Sequence, residues 1–89
     1  MKGKYRLLEQ MDLIDEPVSG HPLIELCGNC RVLIEQHGGI MEYGPERIRI
    51  RVRFGCVAIQ GFGLEICRMR EKQLVIVGRI DQITLEATL

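Results

Sequence analysis

The sequence has very few aromatic residues: it contains no tryptophan, two tyrosines and two phenylalanines. Nucleic acid bases and sugars are often held by stacking on aromatic rings, so little surface of that kind is available. Excess charge is also missing, because twelve basic and twelve acidic residues cancel. A neutral chain lacks the overall positive potential of a dedicated nucleic-acid binder, and it lacks the repulsion that opposes self-association. We therefore expect protein partners, including a homo-oligomer, and do not expect nucleic acid.

Long apolar runs are absent as well. Without eighteen consecutive apolar residues, no membrane-spanning helix is expected. Residues 1–10 mix charged and apolar side chains and do not resemble a signal peptide. These absences favour a cytoplasmic location, where the four cysteines would be reduced.

No set of catalytic residues can be recognised. The single serine, Ser19, lies in a segment rich in proline and glycine, and His21 and His37 are also beside proline or glycine. A nucleophile needs a base within hydrogen-bond reach and a third group that orients the base, and the sequence nominates no such trio. The glycines 61 and 63 precede a strand pattern and not a helix, unlike a phosphate-binding loop. We predict a protein that is not an enzyme, with no cofactor and no small-molecule substrate.

What the chain does have is a strong bias to isoleucine, leucine and valine in alternating patterns. Residues 46–53 alternate arginine with an aliphatic residue, which predicts a strand with one buried face. Further strands are predicted at residues 23–27, 30–35, 40–43 and 74–80, and Ile83 and Leu85 continue the alternation to the end of the chain. Segment 74–80 is apolar on both faces, which predicts a central strand.

Glycine punctuates these strands, and Gly61-Phe62-Gly63 predicts the turn of a compact hairpin. Pairs of apolar residues recur about every 16 residues, with glycines before most of them. The pattern favours an all-β antiparallel meander curled into a small sandwich or open barrel, since a flat sheet would leave its apolar face wet. A β-solenoid-like stack is the alternative.

The N-terminal region has a helical pattern instead. Leu7, Leu8, Met11 and Ile14 recur at helical spacing, and Pro17 then ends any helix. We predict an amphipathic helix and linker over residues 1–22 and a β domain over residues 23–89. The helix would cover an open end of the β domain or dock to a partner.

Two clusters are candidate sites. Cys27 and Cys30 have the spacing of half a zinc site, but the chain offers no standard second pair, so we favour cysteines that flank a turn and pack as small apolar residues. The arginine row, Arg47, Arg49, Arg51 and Arg53, is a candidate interaction face for phosphates or anionic lipids. The favoured interpretation is a solvated face whose charges pair across strands with acids such as Glu35, Glu42 or Glu65.

Several segments together resemble the YabP/YqfC family of sporulation proteins, and the YqfC branch most closely. The segments that carry the resemblance are Ile34-Glu35-Gln36-His37-Gly38-Gly39-Ile40, Tyr43-x-x-Glu46-x-Ile48-x-Ile50, Gly55-x-Val57-x-Ile59-x-Gly61-x-Gly63-Leu64-x-Ile66 and Leu74-x-Ile76-x-Gly78-x-Ile80-x-x-Ile83. They span about two-thirds of the chain in the family's order and spacing. The Cys-Gly-Asn-Cys element and the length of the arginine row depart from the family pattern.

The resemblance implies a non-enzymatic protein that endospore-forming bacteria need during spore development. Members of the YqfC branch are typically encoded beside a membrane sporulation protein, which implies a membrane-associated partner. The expected location is the cytoplasm of the sporulating cell, with a peripheral position at the forespore membrane as the alternative. Partner binding would use a sheet edge, the N-terminal helix or the apolar face around Val75 and Val77.

Overall fold

The computed structural model describes residues 20–88 and shows an all-β protein, as predicted. Its six strands are β1 (Leu23–Cys27), β2 (Arg31–Glu35), β3 (Ile40–Tyr43), β4 (Arg47–Val52), β5 (Gly55–Met69) and β6 (Gln73–Ala87). Residues 1–19, where the N-terminal helix is predicted, and residue 89 lie outside the described part. Within residues 20–88, no helix could cross a membrane.

The strands form one open sheet in the order β1-β2-β6-β5-β4-β3, and all neighbouring strands are antiparallel. The predicted meander is correct for β3 to β6, which are neighbours in chain order. It is wrong for β2, which pairs with β6 and not with β3. The solenoid alternative is excluded because the coils of a β-solenoid stack as parallel strands. Two separate sheets, as in a sandwich, are not formed.

The predicted hairpin at Gly61-Phe62-Gly63 is also wrong, because these residues lie inside β5. Gly61 pairs with Ile80 and Phe62 with Arg79, so the ladder to β6 continues through the glycines. The chain reverses at residues 70–72 instead, between two 15-residue strands. β6 lies between β2 and β5, which confirms the central strand predicted at residues 74–80.

The long β5–β6 hairpin is sharply bent. Straight, β5 would be about 45 Å long. Its two ends are nevertheless connected by the short segment between β2 and β3. A ring nitrogen of His37 lies 3.0 Å from the carbonyl oxygen of Arg70, just past the end of β5. The next residue, Gly38, donates to the carbonyl of Arg51, whose strand neighbour is Cys56 at the start of β5. The sheet therefore curls until its two halves face each other.

The bend coincides with glycines and bulges in the middle of the hairpin. The β5–β6 register shifts between Gln60 and Gly61 and again between Phe62 and Glu65. At Gly61 the two backbones are so close that a Cβ atom would collide with the carbonyl oxygen of Arg79. At Gly78 a Cβ atom would lie 2.6 Å from the carbonyl oxygen of Gly63. The φ angle of Gly78 is 134°, a backbone conformation that residues with a side chain rarely adopt. Bulges of this kind bend strands and increase their twist.

Curling creates the hydrophobic core between the two halves of the sheet. The core draws on β2, β4, β5 and β6, and its members are Val32, Ile34, Ile48, Ile50, Val52, Val57, Ile59, Leu64, Leu74, Ile76 and Ile80. Several of these side chains have no exposed surface, which a flat single sheet could not achieve. The core thus depends on the bend.

We predict that Gly61→Ala lowers the free energy of unfolding by at least about 2 kcal/mol, because the new methyl group must separate the β5 and β6 backbones. Gly44→Ala is the matched control, since its Cβ atom would make an ordinary 3.5 Å contact with the carbonyl of Arg47. That variant should stay within about 0.5 kcal/mol of the wild type. Urea unfolding followed by circular dichroism measures both. Equal stabilities of the two variants would contradict the role given to the bend.

Candidate functional site

The arginine row lies on the outer face of the sheet, at β4. Arg47, Arg49 and Arg51 alternate with core residues along the strand. Arg53 follows the end of β4, in the turn that leads to β5. Its guanidinium lies close to Gly20, where the described chain begins. The structure therefore brings three of the four arginines onto one strand face and puts the fourth at its end.

Two of these arginines pair with Glu42 of the neighbouring strand β3. One carboxylate oxygen of Glu42 lies 3.8 Å from Nε of Arg47 and 3.9 Å from Nη1 of Arg49. Glu42 is thus an acidic partner of the kind the sequence predicts. The other two acids named as partners lie in the opposite half of the sheet: Glu35 accepts a hydrogen bond from Gln73, and Glu65 is a strand neighbour of Val77.

A closer partner of Arg49 is Glu86 on β6, which sequence reasoning missed. Nη2 of Arg49 donates to Oε1 of Glu86 over 3.2 Å, and the thiol of Cys56 donates to the same oxygen over 2.7 Å. Cys56 is the direct strand neighbour of Glu86, whereas Arg49 is a neighbour of Ala58. Arg49 therefore reaches Glu86 diagonally across β5, and the small side chain of Ala58 leaves room for it.

This contact sets the protonation states of the cluster. Burial raises the pKa of Cys56, and its hydrogen bond to Glu86 acts in the same direction. Hydrogen bonds from Cys56 and then from Arg49 lower the pKa of Glu86. Cys56 thus remains a neutral donor and Glu86 an ionised acceptor. A thiol held in this form is a poor nucleophile, because the thiolate is the reactive species.

A shallow cavity of about 200 Å³ lies beside this cluster. Three arginines and one glutamate are among its lining residues, which include Met41, Arg49, Arg51, Arg53, Cys56 and Glu86. The positive charges outnumber the negative ones, so the cavity suits an anion better than a cation. The Glu86 carboxylate already takes up part of this charge through Arg49.

Cys27 and Cys30 lie at the turn between β1 and β2, but both are exposed, so the prediction that they pack as small apolar residues is wrong. Cys27 ends β1, as predicted, but Cys30 belongs to the turn and β2 begins one residue later. The amide of Cys30 donates to the carbonyl of Cys27, which closes the turn. No group of three or more metal-ligating residues occurs among residues 20–88. The structure thus adds no further ligand to this pair within that range.

His37 is a structural residue whose importance the sequence does not reveal. It is buried, and its Nδ1 accepts a hydrogen bond from the amide of Gly39. Nε2 is then the protonated nitrogen and donates to the carbonyl of Arg70. The residue before it, Gln36, has a φ of 64° and donates to the carbonyl of Lys72. The ring thereby ties the β2–β3 connection to the β5–β6 turn.

Comparison with known proteins gives one match. A family model described as the YabP family matches residues 19–88, which include every strand of the sheet. No curated protein and no solved structure matches the chain.

The lowered pKa of Glu86 predicts a pH dependence of stability. A depressed carboxyl pKa stabilises the fold above the pKa of the unfolded glutamate, and this contribution is lost as the pH falls through the folded value. Between about pH 5 and pH 3, the free energy of unfolding should therefore fall more steeply for the wild type than for Glu86→Gln. Urea unfolding at several pH values measures the slopes. Glu25→Gln, at an exposed position on β1, should keep the wild-type slope; an unchanged slope for Glu86→Gln would contradict the assignment.

Proposed function

The chain belongs to the YabP family, and from this premise we propose that it is a non-enzymatic sporulation protein that acts as a structural or partner-binding component during spore development. Family membership is the observation that carries the proposal. We further propose that the chain belongs to the YqfC branch and has a membrane-associated sporulation protein as a partner. It would act in the cytoplasm of the sporulating cell.

The surface supports partner binding. Among the described residues, the large exposed apolar side chains are Leu26, Ile40, Met41, Tyr43, Phe62, Met69 and Leu85. Arg79 covers the ring of Phe62 at 4.2 Å. The other six lie on β1, on β3 or near the ends of β5 and β6, where the sheet has free edges within residues 20–88. The face around Val75 and Val77 offers less, because Val75 is only 2% exposed.

The polar interior supports a non-enzymatic role. His37 is the one buried polar side chain of residues 20–88, and both of its ring nitrogens hold the backbone. The buried thiol of Cys56 has a raised pKa, which is the opposite of what a nucleophile needs. These groups stabilise the fold and leave no obvious reactive one.

The proposal is tested by deleting the gene in an endospore-forming host. We expect fewer heat-resistant spores at unchanged vegetative growth, with recovery when the full chain is restored. The membrane protein encoded by a neighbouring gene, produced with a tag, should also retain the chain after detergent extraction. Normal spore counts together with a growth defect would contradict a sporulation role. If an unrelated tagged membrane protein retains the chain equally well, the proposed specific binding to the sporulation membrane protein is contradicted.

A second candidate function is an anion-binding module that holds a membrane surface or a nucleic acid. The cavity beside Arg49, Arg51 and Arg53, with its surplus of positive charge, is the observation that favours it. Arg51 is the most useful residue for a test, because Arg49 is committed to Glu42 and Glu86. In this case the protein would be peripheral to the forespore membrane.

For this second function we predict that the wild type sediments with vesicles of phosphatidylcholine and phosphatidylglycerol at low salt. Arg51→Glu should weaken the binding about thirtyfold, since each unit of charge near an anionic surface contributes about 1 kcal/mol and the substitution changes the charge by two units. Arg31→Glu makes the same change of charge on β2, outside the cavity, and should bind like the wild type. Equal binding by all three proteins, or equal loss in both variants, would contradict this function. Duplex DNA in place of vesicles tests the nucleic-acid version.

A further inference from the structure

Among residues 20–88, the second half of β6 is a free edge. β2 pairs with β6 only from Gln73 to Val77, and the β1–β2 turn adds backbone hydrogen bonds to Gly78 and Ile80. Beyond that point, residues 82–87 pair with β5 on one side and, within the described part of the chain, with no strand on the other. A free strand edge is a template on which another strand can pair.

The backbone groups that face this edge can be identified. The amide of Thr88 donates to the carbonyl of Phe54, on the β5 side. Because backbone groups alternate along an antiparallel strand and the register is continuous here, Glu86, Thr84 and Gln82 also face β5. The amide and carbonyl groups of Ile83 and Leu85 therefore point away from β5, toward the free edge.

The other edges of the sheet are less suited to pairing. β1 has five residues and β3 has four, and a register shift interrupts β3 between Ile40 and Glu42. The free end of β5 has a shift between Ile66 and Arg68 and carries arginines at 68 and 70. Short, bulged or positively charged strands discourage edge pairing. Residues 82–87 have no shift, no proline and no basic residue, so this edge is the least protected.

We propose that two copies of the chain associate by antiparallel pairing of residues 82–86, about a twofold axis that passes between the two Thr84 residues. In this register Ile83 of one copy lies opposite Leu85 of the other, and the outward backbone groups of both residues meet in hydrogen-bonded pairs. The proposal deepens the proposed assembly function and rests on it, since it names one partner as a second copy.

The side chains are complementary in the same register. Ile83 and Leu85 lie on the core side of the sheet, since their neighbours on β5 are Ile59 and Val57. Leu85 is nevertheless 61% exposed, and an Ile83 side chain from the second copy would cover it. On the outer face, Gln82 would lie opposite Glu86, so no like charges meet. An isologous interface requires this kind of self-complementary surface.

The test is cross-linking in the full chain, with the exposed Cys27, Cys30 and Cys67 replaced by serine. In the proposed register the two Thr84 residues form a non-hydrogen-bonded pair with Cβ atoms about 5 Å apart, so mild oxidation should convert most of Thr84→Cys to a disulfide-linked dimer. The two Gln82 residues would be about 13 Å apart, beyond disulfide reach, so Gln82→Cys is the matched control. Equal cross-linking of both variants, or none in either, would overturn the proposal.

Light scattering provides the second measurement. The wild type should have twice the 10.2 kDa mass of one chain. Leu85→Lys should reduce the measured mass to that of one chain. Met69→Lys changes a similarly exposed apolar residue on the β5 edge and should leave the mass of a dimer. A wild-type monomer would overturn the proposal; this is the result expected if residues 1–19 of the same chain cover the edge. A dimer that is dissociated by Met69→Lys but not by Leu85→Lys would also overturn it. A monomer that still binds the membrane protein and restores spores would leave the proposed function standing.

Discussion

The bend in the β5–β6 hairpin is the constraint on which the rest of the structure depends. These two strands contribute to both halves of the sheet: β1 and β2 extend one half, and β3 and β4 extend the other. Without the bend, the aliphatic faces of the two halves would remain exposed to water. Glycines at positions 61 and 78 allow the close backbone approach at the bend, so two residues without side chains create the conditions for an aliphatic core.

The same curvature leaves an outer face on which arginines lie beside glutamates of neighbouring strands. Arg49 spans from Glu42 on β3 to Glu86 on β6, and the thiol of Cys56 on β5 binds the same carboxylate, so side chains connect all four of these strands. Exposed ion pairs of this type contribute little to stability, since water and salt screen them. Their main effect is on orientation: they hold Arg49 against the sheet, while Arg51 is exposed beside the cavity.

Much of the fold could be predicted from local patterns. Alternation predicts β4, and the doubly apolar segment predicts the central position of β6. The local pattern predicts a turn at Gly61 and Gly63, whereas these residues lie inside β5, because a glycine pair between two apolar stretches has the same local signature in a turn and in a bulged strand. The neighbours β2 and β6 are about forty residues apart in the chain, and periodicity carries no information on such pairings. The Glu86 contact was missed for this reason, since it requires the β5–β6 register.

The segment from Gln36 to Gly39 also has a consequence for folding. Most strand pairs in this protein join neighbours in the chain, so they can form early as local hairpins. The β2–β6 ladder is different, because the pairing of Val32 with Ile76 closes a long loop at a large cost in chain entropy. The bonds from His37 to Arg70 and from Gly38 to Arg51 hold the same connection against both halves. This short segment therefore holds β2 beside β6 in the folded protein, whose topology is rich in contacts between residues distant in the chain.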